Sequence, residues 1–163
     1  MRATTGPYRH PVGMWLVLAL ILTSVIPPAP TAQWHWPTTG NHDVLRDFRA
    51  PLTPWGAGHR GLDLAASSEA VFAPTSGRVS FSGWVVNRPV VTITTDRGHR
   101  VSLEPVSTDR EPGSRVKAGE PLGLLHAGHC ASLCVHIGLR IGDHYRSPKR
   151  ELGILERAVL LPW

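Results

Sequence analysis

The chain has 163 residues, 42% of them hydrophobic and 18% charged, with a formal net charge of +5. That length supports one domain with appendages around a single buried core. No Lys/Arg stripe interleaved with aromatics runs through it, which argues against nucleic-acid binding, and its 16 glycines and 15 prolines fall between patterned segments rather than in a disordered tract.

The first segment, residues 1–32, reads as a secretory signal peptide. Arg2 and Arg9 precede an apolar run from Met14 to Ile26, and a Pro/Ala/Thr exit follows. The run is short for a spanning helix, which needs about 20 residues, so membrane contact is expected only if this segment stays uncleaved. A secreted or cell-envelope location follows. Removal takes away Arg2, Arg9 and no acid, so the charge falls from +5 to +3. A mildly basic domain suits anionic wall polymers or lipid surfaces, and suits ordinary solubility equally well. Residues 33–50 read as a linker and N-terminal arm, with Trp34 and Trp36 expected to pack onto the domain rather than stack on sugars.

Residues 51–148 carry the core pattern. From Glu69 onward it is β: Val79 and Phe81 alternate with Ser80 and Ser82, and Val91-Thr92-Ile93-Thr94 passes through Asp96-Arg97-Gly98 into Val101-Ser102-Leu103 as a hairpin. Gly113, Gly119 and Gly123 mark turns, with Val116 and Leu122 filling the space between them. Val135, Ile137, Leu139 and Ile141 alternate with Cys134, His136, Gly138 and Arg140, the period of a half-buried strand. Residues 149–163 form a tail with a short helix candidate around Arg150 to Val159, between Pro148 and Pro162. The expected fold is all-β, with antiparallel sheets in a small open barrel or sandwich after the N-terminal signal segment.

The chemistry concentrates in Gly58-His59-Arg60-Gly61-Leu62-Asp63 and in Cys134-Val135-His136. Two histidines and a carboxylate are the ligand types that hold a hydrolytic zinc and leave a fourth position for water. On a straight strand His59 and Asp63 lie roughly 13 Å apart at about 3.3 Å per residue, too far to share a metal. The chain must bend between them, and Gly58 and Gly61 offer the dihedrals for a sharp reversal. His136 projects from the polar face of its strand, a rigid placement suited to a ligand. Cys130 and Cys134 are the only cysteines. In an exported chain the pair reads as a disulfide. The competing reading is a zinc site of His129, Cys130, Cys134 and His136.

Trp36-Pro37, Val44 to Phe48, Pro51, the run from Gly58 through Asp63 to Ala66, Gly113-x-x-Val116-x-x-Gly119-x-x-Leu122-Gly123 and the His136 strand together resemble the lysostaphin/LytM-type zinc metalloendopeptidases. The resemblance implies an all-β peptidoglycan hydrolase with one zinc, held by His59, Asp63 and His136, that cuts the peptide cross-links of the cell wall. It also implies two losses. Cys134 stands at the presumed base position, where the family carries the first histidine of His-x-His, and Pro105 stands where it carries a second active-site histidine. Proline has no side-chain donor or acceptor. His126 and His129 are the candidates to replace the missing base. The competing function is a catalytically inactive wall-binding or regulatory domain that keeps the fold. A lipoyl- or biotinyl-type carrier is suggested only by Val116-Lys117-Ala118-Gly119, and nothing marks Lys117 as a modified residue.

Overall fold

A computed structural model describes residues 1–2, 34–53 and 55–154. The chain divides into two units, Met1–Thr31 and Ala32–Trp163, and the fold below is that of the second. The expected signal segment lies outside the described residues, apart from Met1 and Arg2.

Eleven strands are described: β1 (Val44–Arg46), β2 (Gly61–Ala65), β3 (Ala70–Phe72), β4 (Gly77–Val85), β5 (Arg88–Thr94), β6 (Arg100–Glu104), β7 (Val106–Ser107), β8 (Arg115–Val116), β9 (Pro121–Leu125), β10 (Cys134–Ile141) and β11 (His144–Arg146). The large sheet runs β1-β2-β10-β6-β5-β4-β8, with β11 paired to β10, and the small sheet runs β3-β9-β7. All pairings are antiparallel. The all-β expectation is met by two open sheets, and among the described residues there is no helix.

Alternation builds the core. On β10, Val135, Ile137 and Leu139 are buried, and on β2 so are Leu62 and Leu64. They join Ile93, Val101 and Leu103 of the large sheet and Val71, Leu122 and Leu125 of the small one in a single apolar cluster. Because side chains in a strand point alternately to opposite faces, the residues between them, Asp63 and His136, emerge on the other face of the large sheet. The predicted hairpin is β5–β6, which pairs Val91 with Leu103 and Ile93 with Val101. Its turn needs Gly98, whose φ is +77°. Val116 and Leu122 are buried, as expected.

The expected arm and tail both contribute to this domain. β1 pairs with β2, and Trp34 and Trp36 pack against the apolar cluster. In the tail, residues 148–153 form a turn, with the Ile154 amide donating to the Lys149 carbonyl at 2.8 Å, and Leu152 is buried. The remainder of the helix candidate, residues 155–159, lies outside the described residues.

Candidate metal centre

The sheet register brings distant residues into one row. His136 on β10 is the partner of Asp63 on β2 and, on its other side, of Glu104 on β6. Opposed residues in a ladder share a face, so these three side chains stand side by side across three central strands. His59 precedes β2 and is anchored differently, through an isolated antiparallel bridge to Arg49 with amide-to-carbonyl distances of 2.8 and 2.9 Å.

The chain bends between His59 and Asp63 as expected, but the flanking glycines serve another purpose. Neither Gly58 nor Gly61 has a left-handed φ, so the expectation that they supply unusual dihedrals is corrected. They are needed for space. A Cβ on Gly58 would sit 2.7 Å from the Arg49 carbonyl oxygen, and one on Gly61 would sit 2.2 Å from the Ile137 carbonyl oxygen and 2.6 Å from His136 Nε2. The missing side chains let β2 lie close against β10 and let the His136 ring lie over Gly61.

Three donor atoms converge. His59 Nε2 is 3.1 Å from Asp63 Oδ1 and 3.1 Å from His136 Nδ1, and His136 Nδ1 is 2.7 Å from Asp63 Oδ1. Behind the ring, His59 Nδ1 lies 2.7 Å from the Asp47 carbonyl oxygen. A carbonyl only accepts, so Nδ1 carries a hydrogen, and the nitrogen that the neutral ring offers as a lone pair is Nε2, on the side of the carboxylate. A lone pair and a carboxylate facing each other at 3.1 Å in a buried place need a positive charge between them, which a shared proton or a metal cation can supply. Donors around a tetrahedral zinc at 2.0–2.2 Å stand about 3.3–3.6 Å apart, so the triangle would fit such an ion after opening, most of all between His136 and Asp63, by about 0.2–0.9 Å. His59 and Asp63 are buried, at 6% and 4% exposure. Burial pushes the Asp63 carboxyl up, but hydrogen bonds from His136 and His129 and the charges of His136 and His59 outweigh it, bringing the group from its ordinary 3.8 down to about 2.

His129 joins this group, and its ligand atom lies with the other three within 4.8 Å. Its Nε2 is 3.1 Å from Asp63 Oδ1, and its Nδ1 is 2.9 Å from Arg88 Nη1. It arrives on the turn closed by a Cys130–Cys134 disulfide. The predicted bridge is therefore present, and the alternative thiolate site of His129, Cys130, Cys134 and His136 is excluded, because bridged sulfurs offer no thiolate. His126 is placed elsewhere: exposed, with Nε2 2.8 Å from Ser107 Oγ, and outside the ligand group. Pro105 is buried and follows Glu104 through a cis peptide bond. Two residues were missed from the sequence. Arg88, at the start of β5, reaches His129, and Glu104 lies 3.5 Å from Arg88.

A groove of about 520 Å³ runs from His136 along this face of the large sheet. Arg60, Arg100 and Arg140 line it, and among the described residues Glu104 is the only acidic one that does. Tyr145 lies under two of these guanidinium groups, at 5.4 Å from Arg60 and 5.8 Å from Arg140, contacts that hold cations over an aromatic face.

Residues 57–148 match the sequence profile described as Peptidase family M23. The uncharacterised protein Rv2891 of Mycobacterium tuberculosis is 37% identical over 132 residues, covering 78% of this chain and 53% of that protein. The chain thus spans about half the length of the curated relatives it matches. The catalytic domain of the antimicrobial peptidase lysostaphin from Staphylococcus simulans superposes with a TM-score of 0.58 at 22% identity, over 69% of this chain and 93% of that one. The SpoIIQ–SpoIIIAH pore-forming complex gives 0.62 at 19% identity, over 75% and 92%. At these identities the two superpositions establish the fold alone. The sequence match, covering both His59 and His136, establishes that the chain belongs to peptidase family M23.

Proposed function

We propose that this chain is an exported zinc metalloendopeptidase of slow turnover that acts on the peptide cross-links of peptidoglycan. The observation that carries this reading is the convergence of His59 Nε2, Asp63 Oδ1 and His136 Nδ1 at 2.7–3.1 Å, with the His59 lone pair fixed inward by the Asp47 carbonyl. Zinc bound there supplies a Lewis acid and a water whose pKa is lowered toward neutrality. The chain's own residues do the rest. His59, Asp63 and His136 hold the ion, and the groove beside His136 holds the peptide. Arg60, Arg100 and Arg140 line the groove; Arg140 pairs with Asp143 at 2.8 Å and Glu104 faces Arg88, and the remaining positive charge favours a peptide bearing free carboxylates. Export is supported by the signal-like start and by the disulfide, which persists in oxidising compartments.

Turnover is slow because the proton carriers of the family pattern are absent. Cys134 is bridged to Cys130 and Pro105 has no titratable group. Positioned acid/base groups contribute about 10²- to 10⁴-fold. The same two residues favour a second reading, a domain that binds wall peptide without cutting it. Zinc stoichiometry and muropeptide release, measured on one purified sample, separate the two. One zinc per chain with release below about 1 per second, the low end of ordinary enzyme turnover, is the expected result. One zinc with no release establishes the binding domain, and no zinc overturns both the centre and the activity.

A further inference from the structure

His59 and His129 each direct Nε2 at the same oxygen, Asp63 Oδ1, and at the same distance of 3.1 Å. The groups behind the two rings are of opposite kind. Behind His59 is the Asp47 carbonyl, which only accepts. Behind His129 is the Arg88 guanidinium, 2.9 Å from Nδ1, which has five N–H donors and no acceptor. His129 Nδ1 must therefore carry the lone pair, and the ring hydrogen sits on Nε2. A ring protonated on both nitrogens would set two donors against each other at 2.9 Å. The two histidines consequently face Asp63 as opposite tautomers: His59 with a lone pair, His129 with an N–H.

We propose that Arg88 sets His129 as a hydrogen-bond donor to the metal centre, so that His129 positions Asp63 and is neither a fourth ligand nor a general base. A nitrogen that carries a hydrogen has no lone pair for a cation; His136 can shift its hydrogen from Nδ1 to Nε2 and free Nδ1, whereas Arg88 at His129 Nδ1 opposes that shift in His129, whose ring takes no proton from the side of the centre. A metal held by His59, Asp63 and His136 would then receive no fourth protein ligand from His129, and the Asp63 carboxylate would be oriented by a partner of its own, a common outer arrangement in metal sites. Glu104 completes the device. Its carboxylate lies 3.5 Å from Arg88 and beside His136 in the sheet register, so it balances a guanidinium charge that would otherwise stand uncompensated near a cation site. The turn that follows His129 is closed by the Cys130–Cys134 bridge. This proposal rests on the reading of His59, Asp63 and His136 as the ligand set.

The test begins with the zinc-free full chain, uniformly labelled with nitrogen-15, in which long-range nitrogen–proton NMR correlations assign the tautomer of each histidine. The expected result is hydrogen on Nε2 of His129 and on Nδ1 of His59. Hydrogen on Nδ1 of His129 overturns the proposal. In Arg88→Met the lock is gone and the His129 pattern is expected to change, whereas Arg88→Lys, which keeps a donor, restores it. An unchanged pattern in Arg88→Met overturns the role of Arg88. With zinc added, X-ray absorption at the zinc edge is expected to count two imidazoles in the natural chain and three in Arg88→Met, where the freed ring closes the site. Three imidazoles in the natural chain overturn the proposal. Failure to bind zinc at all would refute the ligand set instead, and the zinc-free spectra would still decide the tautomer.

Discussion

Asp63→Asn removes the single negative charge among the three proposed ligands while keeping the shape of the side chain. Zinc at one hundred times its dissociation constant stabilises a folded protein by about 2.7 kcal/mol. For a domain of this size, where each kcal/mol moves the midpoint by about 4 °C, that is a rise of about 10 °C. Outer partners of a metal site already cost 10- to 100-fold in affinity when lost, so loss of a direct anionic ligand is expected to cost at least 100-fold. At the same zinc concentration the variant is then at best half-saturated, and its gain shrinks to about 0.4 kcal/mol, or under about 2 °C. The substitution has a second signature without zinc. The folded Asp63 carboxyl titrates at about 2 rather than 3.8, and at about 1.4 kcal/mol per pH unit the gap is worth on the order of 2 kcal/mol. Because the folded value is the lower one, this stability is present above pH 3.8 and is lost as the pH falls toward 2. Asp63→Asn should lack that acid-side decline. The assay is thermal unfolding with zinc or chelator at neutral pH, repeated in chelator between pH 5 and 2. A zinc-dependent rise in Asp63→Asn equal to that of the natural chain would refute the reasoning.

Gly61→Ala places a methyl group 2.2 Å from the Ile137 carbonyl oxygen and 2.6 Å from His136 Nε2; the overlap is expected to cost about 1–3 kcal/mol in urea unfolding and to weaken zinc binding in dye competition. Ile137→Ala empties a fully buried position and is expected to cost about 2–5 kcal/mol with zinc affinity unchanged, since Ile137 faces away from the donors. Intact-mass measurement after alkylation under non-reducing conditions should leave both Cys130 and Cys134 unmodified, and reduction of so short a loop should lower stability by only about 2 kcal/mol.

The parts of the site that the sequence disclosed are those encoded locally. His59 and Asp63 stand out by ligand type within one short run, and the face carrying His136 follows from the period of Val135, Ile137 and Leu139, all of which are buried. The role of Gly58 and Gly61 was misjudged because the obstacle is not local: the atoms a Cβ would strike belong to Arg49, Pro51, His136 and Ile137. Arg88 and Glu104 were missed for the same reason. Arg88 meets His129 across 41 positions, and Glu104 enters the row only through the pairing of β6 with β10. A register of that kind leaves no period along the chain. Of the two candidate replacement histidines, the turn delivers His129 to Asp63 and leaves His126 with Ser107, a choice set by the path of the closed turn. β1, three residues long, is too short to show an alternation.

The alternation of β10 also makes folding and site assembly one event. A slip of one position against β2 or β6 would turn His136 into the apolar interior and set Val135, Ile137 and Leu139 in water, because every side chain of a strand changes sides together. The hydrophobic side of the strand therefore rejects wrong alignments on behalf of the opposite side, and a molecule that has reached its native core has already aligned Asp63, His136 and Glu104. Residues on the outward side carry none of that burden. Side chains can be exchanged there and the sheet still closes on the same register, so the chemistry of that face can vary without a change of fold.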